Sequence, residues 1–255
     1  MTELIYQTDS YLQSFDAIVE AVDEQNHGLI LDRSAFYPGG GGQPADSGIF
    51  NRVDLASEPS SVLRVTRAKK IGDQVVHLVE GESLLPPAGT ALHGQVDWEH
   101  RYQLMRTHTA MHILCGVIFR DYGASVTGGD MDPLQGRMDF EFETMHKELV
   151  TEIEAAINRE IASARPVRVA ILPRDEAFRI PDLIRTKINL LPPHIQEVRT
   201  VEIGGLDLQA DGGTHVANTS AVGHVRVVDY KSKGAINKRI YIELGACNTT
   251  RLGCA

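Results

Sequence analysis

His108 and His112, in Thr107-His-Thr-Ala-Met-His112, share their four-residue spacing with Asp211 and His215, in Asp211-Gly-Gly-Thr-His215, about a hundred residues later. On a helix, residues i and i+4 lie on one face about 5–6 Å apart, so two imidazole nitrogens there can meet one metal ion. The second pair would complete a set of three nitrogens and one oxygen. That set suits borderline divalent metals and most often zinc, with Asp211 as a fourth or looser ligand. A lone His-x-x-x-His is more often a surface or core feature. The matching pair, after a strand-like run and beside two glycines, is what points to a shared metal. Residues 109–111 are Thr-Ala-Met, so this is not the metallopeptidase pattern His-Glu-x-x-His.

Other chemistries find less support. No Ser-His-Asp order and no Gly-x-Ser-x-Gly elbow occurs, which argues against a covalent acyl-enzyme. No Gly-Lys-Ser/Thr follows the glycine-rich stretch, so ATP is not expected. Cys115, Cys247 and Cys254 form an odd set without Cys-x-x-Cys spacing, and Cys115 lies in an apolar helical run where a reduced, buried thiol is expected.

The elements that must position the ligands follow from hydrophobic periodicity. Apolar residues Leu104, Met105, Met111, Leu114, Val117 and Ile118 predict a helix over Trp98–Arg120, stopping at Tyr122-Gly123 and carrying both histidines. A strand is predicted at Gly136–Phe142. A helix with Leu149, Ile153, Ala156, Ile157 and Ile161 on one side is predicted at Lys147–Ala164, stopped by Arg165-Pro166. Strands follow at Val167–Leu172 and Glu197–Ile203, then a hairpin of Gly223–Tyr230 and Arg239–Leu244 through Lys233-Gly234. Upstream, short β-prone runs at Gly28–Asp32, Ser61–Val65, Gln74–Leu78 and Ala91–Val96 alternate with turns and predict a small β-barrel or sandwich. The expected organisation is a β-domain over residues 1–95 and an α+β domain over 96–255, with helices on an antiparallel sheet.

The chain has 255 residues, 42% of them hydrophobic, and no low-complexity tract, which suits one large or two modest globular domains. No signal-like N-terminus and no long uncharged apolar run appears, so a soluble cytoplasmic protein without a membrane partner is expected. The net charge of −9 argues against indiscriminate nucleic-acid binding. Its distribution is uneven, with −7 in residues 1–95 and −2 in the rest. Between His224 and Ile240, Arg226, Lys231, Lys233, Lys238 and Arg239 face Asp229 alone. That local excess would follow a phosphate backbone or line a solvated hairpin face.

Phe36-Tyr37-Pro38 leads into Gly39-Gly40-Gly41-Gly42-Gln43-Pro44-Ala45-Asp46-Ser47-Gly48. Four glycines forfeit side-chain packing and carry a large entropy cost, so close approach to a ligand is the favoured reading, with a plain hairpin loop as the alternative. Valine at Gly40 and Gly41 is then expected to impair function without disturbing the fold. This stretch, Arg106–His112, Arg137–Phe140, Asp211–Val216 and Ser232–Tyr241 together resemble the AlaX family, free-standing relatives of the alanyl-tRNA synthetase editing domain, and its medium-length AlaX-M branch in particular. The resemblance runs in order along nearly the whole chain. It implies an N-terminal barrel beside an editing domain, and hydrolysis of mischarged Ser-tRNA(Ala), sometimes Gly-tRNA(Ala), sparing Ala-tRNA(Ala).

One departure stands out: the family's second metal segment usually reads Cys-x-x-x-His, and Asp211 replaces the cysteine. A carboxylate makes a harder donor set than a thiolate, open to weaker binding or other metals. Serine differs from alanine by one hydroxyl, so polar side chains must read it, with Thr109, Thr127, Gln43 and Thr214 as candidates. Substrate contacts are expected from Gly39–Gly42, Gln43, Lys231, Lys233, Lys238 and Arg239. Two alternatives stay open: a tRNA- or partner-binding module with a purely structural metal, and a zinc hydrolase of small esters or amides.

Overall fold

Strict alternation of apolar and polar residues builds the first part of the chain. In β2 (Ser14–Asp23), Phe15, Ala17 and Val19 are buried while Ser14, Asp16, Ile18 and Glu20 are exposed, the period-2 pattern of a strand with one face on a core. The computed structural model describes residues 2–53, 62–72, 74–81, 84–185 and 195–245. The chain divides into two units, Met1–Tyr102 and Gln103–Ala255.

In the first unit β2, β3 (Gly28–Leu31), β5 (Gly48–Arg52), β6 (Val62–Ile71), β7 (Gln74–Val79) and β8 (Ala91–Val96) close into an antiparallel barrel in the order β2-β3-β7-β6-β5-β8. Closure leaves no open edge. β2 serves two neighbours, pairing β8 through Ser14–Ile18 and β3 through Val19–Asp23, with an irregularity at Val19/Ala21 where the strand changes partner. β1 (Glu3–Leu4) and β4 (Arg33–Ser34) add a short parallel pair. Phe15, Leu29, Leu31, Phe36, Phe50 and Leu92 fill the interior. His77 packs edge-on against Phe36 and Phe50 with ring centroids 5.5 and 5.3 Å away. It reaches Ser34 Oγ at 2.7 Å and the Leu29 carbonyl at 3.0 Å. Ser34 and His77 have no exposed surface, so this pair is a satisfied core contact and not a nucleophile with its base.

The buried Asp46, three residues beyond Gln43, accepts from Arg101 Nε at 2.9 Å and from Arg101 Nη2. Arg101 also donates to the Ser10 and Ala35 carbonyls. Both charged side chains are fully enclosed, so neither can lose the other without leaving a bare charge in the core. Asp46→Ala is expected to cost about 3–5 kcal/mol in urea unfolding; a loss below about 1 kcal/mol would show that the pair contributes no more than an exposed one.

The second unit rests on α1 (Trp98–Tyr122), two residues longer than its periodicity predicts and ended by Gly123 at φ 65°. Leu104, Met105, Ala110, Met111, Ile113, Leu114, Val117 and Ile118 are all buried, a helix covered on more than one side. On one side lies the antiparallel sheet of β9 (Val126–Asp132), β10 (Gln135–Glu141), β14 (Val225–Ser232) and β15 (Asn237–Leu244), ordered β14-β15-β10-β9. Gly129 and Gly136 leave room there for Met111, whose sulfur lies 3.0 Å from where a Cβ on Gly136 would stand. On another side the turn between β12 (Glu197–Ile203) and β13 (Asp207–Ala210) approaches Gly116. These two strands and β11 (Val167–Pro173) form a sheet in the order β11-β12-β13.

α2 (Lys147–Ala162) lies against β14, where Asn158 brackets Val225 with bonds of 2.8 and 3.0 Å and Glu154 accepts from the Val227 amide at 2.7 Å. It ends two residues before the predicted stop, because Ala164 turns to φ 51°. Val150, not Leu149, leads its buried face. The whole is a small β-barrel followed by an α+β unit with helices on an antiparallel sheet. Among the described residues no helix is long and apolar enough to cross a membrane. Cys247 and Cys254 lie outside the described residues; Cys115 is a buried free thiol, which burial holds well above the usual thiol range.

Candidate metal centre

α1 presents His108 and His112 on one face with ring centroids 5.1 Å apart. His215 comes from the loop after β13, its ring 4.3 Å from His108 and 4.8 Å from His112. Asp211 completes the group, with Oδ2 3.0 Å from His215 Nε2 and Oδ1 3.5 Å from His108 Nε2. One ligand atom from each of the four lies within 4.8 Å of all the others.

The loop is fixed from both ends. The Asp211 amide donates to the Arg199 carbonyl at 3.1 Å and Arg199 Nη1 donates to the Asp211 carbonyl at 2.9 Å. Within the loop the Gly213 amide donates to Asp211 Oδ2 at 2.7 Å. At the other end the Val216 amide donates to Thr109 Oγ1 on α1. Thr109 donates in turn to the Met105 carbonyl at 2.9 Å, so its remaining lone pair faces His215 Nδ1 at 3.2 Å. His215 Nδ1 must therefore carry the proton, which leaves Nε2 bare toward Asp211. His112 Nδ1 lies 2.9 Å from Asp207 Oδ2 and is directed the same way. An imidazole whose bare Nε2 lies 3.0 Å from a carboxylate oxygen repels it unless a cation or proton lies between them. That arrangement fits a divalent metal.

Electrostatics agree with this donor set. Burial pushes His108 well below the usual histidine range, against the pull of Asp211, and lowers His215 to about 4. For His112 burial acts downward too, but the hydrogen bond and charge of Asp207 outweigh it and raise the group. Burial would raise Asp211, yet the three imidazoles, His108 foremost, hold it well below the usual carboxylate range. The result is neutral nitrogen at His108 and His215 beside an anionic oxygen, the form in which these groups bind metal, while His112, held up by Asp207, has to give up a proton to join them.

Of the other candidates, Thr214 shares the Asp211–His215 loop and the rest lie elsewhere. Thr127 is exposed on β9 and donates to Asn237 Oδ1 at 3.0 Å; Thr214 is buried in the metal loop and Gln43 in the barrel unit. The glycine stretch forms a tight hairpin, with Gly40 and Gln43 exchanging backbone bonds of 3.1 and 2.9 Å. Gly41 and Gly42 between them take φ 57° and 88°, and Gly39 and Gly40 are also positive at 81° and 135°. Two central residues at positive φ define a turn that glycine adopts without strain. A Cβ on Gly41 would meet nothing within 4 Å. Valine at Gly40 and Gly41 would strain this turn, because both positions hold positive φ, so such a variant disturbs the hairpin itself as well as any approach to a ligand. In the basic hairpin Lys231 is exposed beside Asp229 and lies over the Tyr241 ring at 4.9 Å, and Lys233 is exposed. Arg239 is locked to Asp139 by bonds of 2.6 and 2.7 Å, and Lys238 is buried, donating to the Gly234 and Ala235 carbonyls.

Over nearly its full length the chain is 36% identical to an alanyl-tRNA editing protein AlaX-M of Methanosarcina barkeri, covering 96% of this chain and 99% of that one. The chain belongs to the AlaX-M family. A second AlaX-M protein, from Saccharolobus solfataricus, is 37% identical over 94% of this chain and 98% of its own. An alanine–tRNA ligase of Ignicoccus hospitalis is 36% identical across 89% of this chain but only 24% of the ligase. The family model for the threonyl and alanyl tRNA synthetase second additional domain matches residues 198–241, and that for class II (A) tRNA synthetases matches residues 5–100. The first of these spans β12, β13, the Asp211–His215 loop and the hairpin. Of the four grouped residues, Asp211 and His215 fall within residues 198–241, while His108 and His112 lie between the two matched ranges.

Sequence reasoning missed Asp207, Gln209 and Arg199. A signal existed in Asp207-x-Gln209, where polar residues at alternate positions share one face of a strand just before Asp211.

Proposed function

We propose that this protein is a trans-editing aminoacyl-tRNA deacylase that hydrolyses Ser-tRNA(Ala), and also Gly-tRNA(Ala), in the cytoplasm. The observation that carries the reading is the convergence of His108, His112, Asp211 and His215 on one point in a chain that matches AlaX-M proteins end to end. Zinc held by those four residues supplies a Lewis acid for ester hydrolysis. Thr109, which bonds Met105, Val216 and His215, acts by holding His215 in place, so reading of the serine hydroxyl falls to Thr127, Thr214 or Gln43. Lys231 and Lys233, both exposed, suit the tRNA backbone better than the buried Lys238 and than Arg239, which is held by two bonds to Asp139. In this reading residues 1–95 form the barrel domain with the glycine-glutamine motif, which approaches substrate through backbone amides at Gly39–Gly42, and 96–255 the editing domain.

The test is release of amino acid from purified Ser-tRNA(Ala) and Ala-tRNA(Ala). A pocket that hydrogen-bonds the serine hydroxyl is expected to favour serine by about 10⁴ in kcat/KM, because alanine leaves the buried partner unpaired. Zinc-loaded protein that releases no serine would remove the deacylase reading and leave a binding module with a structural metal.

A further inference from the structure

Asp207 is fully enclosed, a setting in which a carboxylate needs partners to offset its desolvation. One oxygen has them: Oδ2 accepts from His112 Nδ1 at 2.9 Å and from Gln209 Nε2 at 2.7 Å. Oδ1 has no hydrogen-bond partner among the described residues and lies 3.8 Å from Arg185 Nη2. A buried acceptor left unsatisfied costs about 1–3 kcal/mol, so stability alone does not account for an aspartate here.

The neighbouring packing is built around this contact. Gly116 lies one helical turn beyond His112, and a Cβ on it would stand 2.9 Å from Leu206 Cγ and 3.1 Å from Asp207 Cβ. Only glycine lets the β12–β13 turn come close enough to α1 for Asp207 to reach the ring. Gln209, two residues along β13 on the same face, then holds the carboxylate and also lies 3.4 Å from Cys115 Sγ.

We propose that Asp207 is a positioning residue for the metal centre: it holds His112 with Nδ1 protonated and Nε2 free, while Gln209 orients the carboxylate and Gly116 sets its distance. The inference rests on the metal-centre reading above. A carboxylate behind a ligating histidine fixes the tautomer and ring angle and strengthens the donor, and losing it weakens metal binding by roughly 10–100-fold.

The experiment is zinc titration by chelator competition on the full chain, wild type beside Asp207→Ala and Asp207→Asn, with nitrogen NMR of the histidine rings and melting of the metal-free proteins. Asp207→Ala is expected to weaken zinc binding by roughly 10–100-fold and to free His112 from a single tautomer; metal-free melting should fall as well, because Arg185 and Gln209 lose their buried partner, so zinc affinity and the tautomer decide the outcome. Asp207→Asn, which keeps an acceptor and the side-chain volume, should fall between the two and serves if the alanine variant does not fold. Zinc affinity within twofold of wild type in both variants, or a loss with the His112 tautomer unchanged, would overturn the inference alone. Wild-type protein that binds no zinc would overturn the metal-centre reading with it.

Discussion

A protein carrying both His108→Ala and His112→Ala is expected to retain no stoichiometric zinc and to release serine from Ser-tRNA(Ala) at the rate of buffer. The two rings supply half of a four-donor set whose atoms lie within 4.8 Å of one another, and Asp211 with His215 makes a bidentate remnant too weak to hold the ion at catalytic concentrations. Lewis-acid stabilisation of several kcal/mol corresponds to roughly a thousandfold or more in rate. Circular dichroism should stay near wild type, because the helix core is made by Leu104, Met105, Leu114, Val117 and Ile118 and not by the imidazoles. The measurement is elemental analysis beside single-turnover serine release. Full activity in a double variant free of metal would end the case for a metal-dependent deacylase.

Asp211 carries the second large effect. Its backbone is pinned by two bonds to Arg199, so replacing the side chain should leave the loop in place and report on the ligand itself. Asp211→Ala removes the only anionic donor and is expected to weaken zinc binding by roughly tenfold or more, whereas Asp211→Cys, supplying a thiolate, should keep or tighten it. The carboxylate also accepts from the Gly213 amide at 2.7 Å, which gives a clean contrast. If Asp211 merely caps the loop, the alanine variant loses stability while all three proteins bind zinc alike in the same titration.

How much of this was open to a reader of the chain depends on the range over which each feature is specified. The i, i+4 pairs are fixed by helix pitch and by a short glycine loop, both local, so the four candidate ligands could be picked out together. The 98–122 helix likewise announces itself by its own apolar spacing. β13 does not, since a strand of four residues carries too little periodicity to separate from a loop. Thr109 illustrates the limit: beside a ligand in sequence it reads as a selectivity residue, yet packing spends its hydroxyl on Met105, Val216 and His215. Lys238 does too, since it belongs to a basic stretch on paper but alternation along β15 turns it inward with Ile240 and Ile242.

The sequence by itself determined the donor types, their spacing, the helix that carries two of them and the alternating strands of the barrel, because each depends on contacts within a few residues. Only the tertiary structure decided that residues about a hundred positions apart share one point, that Asp207 lies behind His112, and that Gly116 is the residue allowing it to do so. Those outcomes depend on how closely two elements approach. That distance is set by the side chains missing between them, and no local pattern records it.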